Sequence, residues 1–260
     1  MLRVSKRKNK TRKPRPVKTP KQIEVKYRRA LLNLAKSLEK DIATNINPIL
    51  VQFEAEYVND AYASVLTQAF NALRSKYANI TTEANTVANS FVSASNQVNK
   101  RKFYSALESA VGVNLQSIVQ NENLEDILIA KTRENVALIQ SIPDEYLKKV
   151  ETLVFEGTTQ GSRPSSMIKE LREVGKVTEN RAKLIARDQT SKMNSALNQQ
   201  RQQNLGVEEY IWRTAGDERT RPSHKAKNGK TFRWDNPPKD TGHPGEDIQC
   251  RCVAQPLIKI

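Results

Sequence analysis

From Ile23 to Leu197 the apolar residues recur every three or four positions, and at Val207 that helical rhythm stops, which leaves little choice of fold class. Leu31, Leu34, Leu38, Ile42 and Ile46 share one face of a helix that Pro48 should kink or end. A second stripe runs through Tyr57/Val58, Ala61/Tyr62, Val65/Leu66, Ala69/Phe70 and Leu73, two residues wide, and predicts a helix burying a broad face. Over 79–111 the anchors Val87, Phe91, Val92, Phe103, Leu107 and Val111 sit among Thr, Asn and Ser, so helices there are less regular. Leu124 to Ile142 and Asp144 to Gly157 read as two helices separated by Pro143, with Gly157 as a stop.

Next, Pro164 opens a short helix that ends near Gly175, and Thr178 caps a longer one carrying Ala182, Ile185, Ala186, Thr190, Met193 and Leu197. This pair has the outline of a helix-turn-helix. The body of the chain is close to neutral, however, and a packed helical pair is the simpler reading, so no base-reading role is assigned.

Past Val207, the runs 210–212, 231–234 and 250–254 are β-prone and separated by Gly, Pro and Asp. The predicted fold is therefore mainly α in its N-terminal and middle regions, with a small α+β C-terminal module of short antiparallel strands. The expected divisions are a basic disordered tail over 1–22, a helical region over 23–120, and a C-terminal domain over 121–260, with helices over 121–205 and a β-rich module over 206–260.

Charge is as unevenly distributed as structure. Of the net +15, Met1 to Arg29 supplies +12, with thirteen Lys and Arg against the single acid Glu24. Self-repulsion and prolines predict disorder for such a segment, and phosphate is its natural partner through counterion release. The candidate nucleic-acid contacts are Arg3, Lys6, Arg7, Lys8, Lys10, Arg12, Lys13, Arg15, Lys18 and Lys21. An acidic protein surface would serve the same chemistry. No apolar run reaches the roughly 18 residues of a bilayer span, and the N-terminus lacks the apolar stretch of a signal peptide, so a soluble, non-secreted protein is expected.

Both histidines, His224 and His243, and both cysteines, Cys250 and Cys252, fall in the last 40 residues. On an extended strand Cys250 and Cys252 would face one side and Arg251 the other. Two thiolates and two imidazoles make a tetrahedral zinc set, although Cys-x-Cys is an unorthodox spacing. Buried thiols in a small core are the alternative, and both readings stand at this point. A disulfide between the two is disfavoured by their separation on a strand. Asp217, Arg219, Arg221 and His224 could also serve a metal-dependent phosphodiesterase as ligand, phosphate clamp and base, or act as turn and ion-pair residues. No phosphate-binding loop, dinucleotide fingerprint or nucleophile elbow is present.

Taken in order, Ile185 to Thr190, Tyr210 to Thr214 with Trp212, Asp217 to His224, Asn228 with Gly229, and Gly242 to Cys252 resemble the phage Mu protein F-like family of minor head proteins. The resemblance covers the chain from about Leu124 onward. It departs at Asp188 and Gln189, where the family more often has Thr and Glu. It implies a structural, non-enzymatic protein of a tailed bacteriophage that acts in head morphogenesis near the portal. Its partners would be the portal protein, other head proteins and packaged DNA, with no membrane. Its place would be the virion, and the host cytoplasm during assembly. In that frame Trp212, Asp217, Arg219, Arg221 and Gly229 are structural motif residues, and a nuclease acting on phage DNA is the alternative. Some members carry toxin or transferase domains; with the sequence ending eight residues after Cys252, none is expected at that end.

Overall fold

The computed structural model describes residues 11–52, 60–112 and 122–259. Strand β1 (Thr11–Arg12) is followed by helices α1 (Lys21–Asn45), α2 (Asn47–Gln52), α3 (Asp60–Ala78), α4 (Thr81–Val111), α5 (Glu125–Thr159) and α6 (Pro164–Asn204). The C-terminal part holds β2 (Glu209–Arg213), the short α7 (Pro222–Lys225), β3 (Thr231–Arg233), β4 (Val253–Pro256) and β5 (Ile258–Lys259). The mainly helical architecture with a small antiparallel module is the one that the hydrophobic periodicity predicts.

Two compact units form, and they interleave in sequence: one comprises 1–23, 92–130 and 188–260, the other 24–91 and 131–187. Helices α4, α5 and α6 each contribute to both, so the units do not follow the consecutive division expected from the sequence.

In the purely helical unit Leu31, Leu38, Ile42 and Ile46 of the α1–α2 stretch are buried as their spacing requires. The α3 stripe is narrower than expected. Tyr62, Leu66, Phe70 and Leu73 are buried but Val65 is exposed, while Tyr57 and Val58 lie outside the described residues.

Three expected breaks are absent. Pro143 sits buried inside α5, Gly157 is buried before its end, and α6 runs unbroken through Gly175 and Thr178. Thr178 does not cap a helix; its hydroxyl donates back to the Val174 carbonyl at 2.9 Å. Gly175 instead permits a close approach, since a Cβ there would meet the Glu39 carboxyl at 3.1 Å. The helix-turn-helix outline therefore disappears. The real stop at α5 is Gly161, at φ +68°.

The other unit corrects the expectation of a free tail. Thr11 and Arg12 pair antiparallel with Lys259 and Ile258, and the Gln255 side chain donates to the Pro14 carbonyl at 2.7 Å. Burial recurs every third residue at Pro14, Val17 and Pro20, with Val17 in a cluster with Phe103, Tyr104 and Leu107. The Val17 carbonyl accepts from Asn194 and Asn198 at 3.0 and 3.1 Å. Apolar burial and these hydrogen bonds outweigh the charge repulsion that predicted disorder over this stretch, and α1 begins within the expected tail at Lys21.

The same unit holds a buried polar network. Arg201, fully enclosed, donates to Glu122, Asn96 and Asn99, and Asn99 donates to Asn194 and Asn198. Its sheet has the order β3-β2-β4, all antiparallel, with Tyr210 opposite Phe232 and Trp212 opposite Ala254. Tyr210 and Trp212, two apart on β2, enter one cluster with Trp234, Cys250 and Cys252.

Candidate functional site

The stretch 217–224 grips the stretch 247–251 at three points. Asp217 holds Arg251 through both carboxylate oxygens, at 2.7 and 2.5 Å. Arg221 donates to the Ile248 carbonyl at 2.7 Å, and His224 Nε2 lies 2.9 Å from Asp247 Oδ2. The Arg251 pairing holds the Asp217 carboxyl below the usual carboxylate range, with help from Thr220. Arg219 is exposed, and its backbone near the Asp217 carboxyl helps to lower that group's pKa. Gly229, at φ +81°, donates its N–H to the Trp212 carbonyl at 2.8 Å, a left-handed turn that a side chain would strain.

His224 belongs to α7, where Pro222 supplies the fixed φ of a helix start. Its ring is buried and stands edge-on to Trp212, with centroids 5.5 Å apart. Nδ1 faces two sulfurs, Cys252 Sγ at 3.3 Å and Cys250 Sγ at 3.5 Å. The donor atoms of His224, Cys250 and Cys252 all lie within 4.8 Å of one another. Both cysteines are free thiols.

The expected convergence of the two sulfurs therefore occurs, but not by strand alternation. Strand β4 starts only at Val253, and Cys250 is delivered by a turn. Gln249 adopts φ +59°, and its N–H donates to the Asp188 carboxylate at 2.6 Å, which offsets the cost of that conformation. Gly245, at φ +94°, passes so close to α6 that a Cβ would lie 2.6 Å from Ser195 Cβ. Its N–H and that of Cys252 both donate to Cys250 Sγ, at 3.3 and 3.4 Å. The Cys252 thiol and these two amides draw the Cys250 pKa down against burial, while the Cys250 sulfur and burial push that of Cys252 up. The Trp212 indole N–H favours ionised Cys252, yet it is buried without any partner in hydrogen-bond geometry.

His243 does not join this group. Its Nδ1 is 2.9 Å from the Tyr210 hydroxyl, and its ring packs on Trp234 with centroids 4.8 Å apart. Burial lowers its pKa despite the nearby Glu246. Asp217 and His224 engage different partners, Arg251 and Asp247. Sequence reasoning missed two contributors, Asp247 and Gly245. Asp247 was visible as an acid three residues before Cys250, but nothing local revealed that it orients a ring 23 residues away.

Of the candidate nucleic-acid contacts, Arg3, Lys6, Arg7, Lys8 and Lys10 lie outside the described residues. Arg12 is half-buried in β1, with Nε lacking a hydrogen-bond partner. Lys13, Arg15, Lys18 and Lys21 are exposed, interleaved with the buried Pro14, Val17 and Pro20. Among the described residues no helix is long and apolar enough to cross a membrane.

Comparison with known proteins places this site in context. Residues 148–255 match the family described as Phage Mu protein F like protein, a span that includes α6, His224 and both cysteines but not β1 or α1 to α4. The chain is also 35% identical over 256 residues to an uncharacterized protein of Haemophilus influenzae, covering 96% of this chain and 57% of that one. It thus spans little more than half the length of that relative. No solved structure matches. It is through residues 148–255 that the chain is similar to the Phage Mu protein F like family.

Proposed function

We propose that this protein is a minor head protein of a tailed bacteriophage, built into the head during morphogenesis near the portal. One observation carries this reading: the family match spans the buried core of the C-terminal module, and the motif residues within it hold one another rather than a cleft. The resemblance supports a role as a scaffold for assembly, and the portal and other head proteins are the partners that this reading names.

The packaged genome is the second partner in this reading. Lys13, Arg15, Lys18 and Lys21 project from a segment anchored through Pro14, Val17 and Pro20, and five further basic residues precede them at 3–10. An anchored row of cations neutralises phosphates with less ordering cost than a free tail.

The test is a phage or prophage that carries the gene with an epitope tag. Mass spectrometry of purified, DNA-filled heads is expected to find the protein in low copy number, and deletion is expected to reduce infectious particles. Heads that assemble, package and infect normally without the protein would overturn the proposal.

A further inference from the structure

We propose that His224 Nδ1, Cys250 Sγ and Cys252 Sγ bind a single zinc ion, with water as the fourth ligand. Four observations support this site independently of the phage assignment.

The first is shape. Zinc bonds of about 2.05 Å to nitrogen and about 2.3 Å to sulfur give a tetrahedron whose N···S edges are about 3.6 Å. The two edges found here are 3.3 and 3.5 Å. Only a small outward shift of the side chains separates the arrangement from a ligand set.

The second is the tautomer. Asp247 accepts at Nε2, so the proton belongs there and the Nδ1 lone pair is turned toward the sulfurs. A carboxylate behind a ligating imidazole is the usual support of a zinc histidine, fixing the ring and raising its basicity.

The third is hydrogen-bond supply. One Nδ1 lone pair cannot satisfy two thiols, whereas two backbone amides donate to one of the sulfurs and an indole N–H is buried in the same cluster. The Gly245 and Cys252 amides donate to Cys250, and the buried Trp212 N–H has no hydrogen-bond partner among the described residues. Those donors suit acceptor-only thiolates, and a divalent cation cancels the two negative charges that burial would otherwise penalise.

The fourth is what the site excludes. His243 turns Nδ1 to the Tyr210 hydroxyl and packs its ring on Trp234, and among the described residues only the donor atoms of His224, Cys250 and Cys252 come within 4.8 Å of one another, so the protein set is three and not four. The competing arrangement is a metal-free imidazolium–thiolate pair. Bound zinc would tie α7 to the start of β4, a staple for a sheet of three short strands.

The experiment uses the full chain, purified without chelators and, in parallel, reconstituted with zinc or cobalt. Elemental analysis is expected to give one zinc per chain. The cobalt form is expected to show the intense visible bands of a tetrahedral site and a sulfur-to-cobalt charge-transfer band. Both thiols should resist a thiol reagent until a chelator is added. Cys250→Ser and His224→Ala should lose at least nine-tenths of the metal, and His243→Ala should keep it. Should either variant misfold, the wild-type cobalt spectrum and thiol protection decide the matter alone. Less than a tenth of an equivalent of metal both before and after reconstitution, or thiols equally reactive with and without chelator, would overturn the site in favour of the metal-free pair.

Discussion

Asp247 Oδ2 lies 2.9 Å from Nε2 of His224, and Nδ1 of the same ring meets the sulfurs of Cys250 and Cys252. One carboxylate on a turn thereby sets the orientation and proton position of a buried imidazole. Replacing Asp247 by Ala is expected to weaken zinc binding by about 10- to 100-fold while leaving the helical parts folded. Asp247→Asn keeps an acceptor and should fall between the two. Competition with a chromophoric chelator measures the change, and an unaltered affinity in Asp247→Ala would remove the orienting role.

Arg201 and Glu122 form a buried ion pair, with side chains 0% and 11% exposed and an Nη2···Oε2 distance of 2.9 Å. Removing one partner strands the other charge, so Glu122→Ala should destabilise its unit by about 3–5 kcal/mol in denaturant titration. A loss below about 1 kcal/mol would show that the charge finds water on deletion.

The same pair predicts acid sensitivity. Burial alone would raise the Glu122 pKa, but hydrogen bonding and charge from Arg201, with Tyr104 and Lys100, hold it below the usual carboxylate range. A depressed folded-state pKa means that the stabilisation is fully present above the unfolded value of about 4.3 and is lost as pH falls through the folded value. Thermal midpoints should therefore decline from about pH 5 toward 3, and less steeply in Glu122→Gln.

Two glycines should respond in opposite directions. At Gly175 an added methyl meets only the movable end of Glu39, so Gly175→Ala in mid-helix should stabilise by up to about 1 kcal/mol. At Gly245 the positive φ and the 2.6 Å approach to Ser195 Cβ leave no such relief, and Gly245→Ala should cost about 2 kcal/mol or more. Paired melting curves test both signs at once.

If the anchored basic row binds DNA, changing Lys13, Arg15, Lys18 and Lys21 to Ala should flatten the dependence of log affinity on log salt by about 0.9 for each phosphate no longer neutralised. Electrophoretic shifts at several salt concentrations measure the slope. An unchanged slope would move the DNA-binding charge to residues 3–10 or rule out DNA as the partner of this row.

Much of the fold was legible because apolar spacing is a local signal: Leu31 to Ile46, Tyr62 to Leu73 and Ala182 to Leu197 are buried largely as their periods require. Punctuation misled at Pro143, Gly157 and Gly175. A glycine costs a helix about 1 kcal/mol and a proline about 3, amounts that the burial of a few large side chains on either side outweighs. Polar burial was hidden for a different reason. Asn194, Asn198 and Arg201 repeat at helical spacing within a segment that composition marks as surface, and only their partners on distant segments turn them inward.

At the site, the clustering of His and Cys in the sequence is matched in space for three of the four residues, His224, Cys250 and Cys252. The division between His224 and His243 depended on Asp247 and Tyr210, whose hydrogen bonds bridge 23 and 33 residues. No local pattern carries information over such separations.

The ladder that joins Thr11 to Lys259 and Arg12 to Ile258 has a mechanical meaning. The two strands are antiparallel with residues 11 and 259 at the same end of the ladder, so tension that draws those two residues apart would peel it one hydrogen bond at a time, as a zipper opens, instead of shearing all of it together. The next resistance is the grip of Gln255 on Pro14, followed by that of Asn194 and Asn198 on Val17. Such a seam yields stepwise to a small pull, so the basic row could be drawn away from the sheet while the rest of the unit stayed folded.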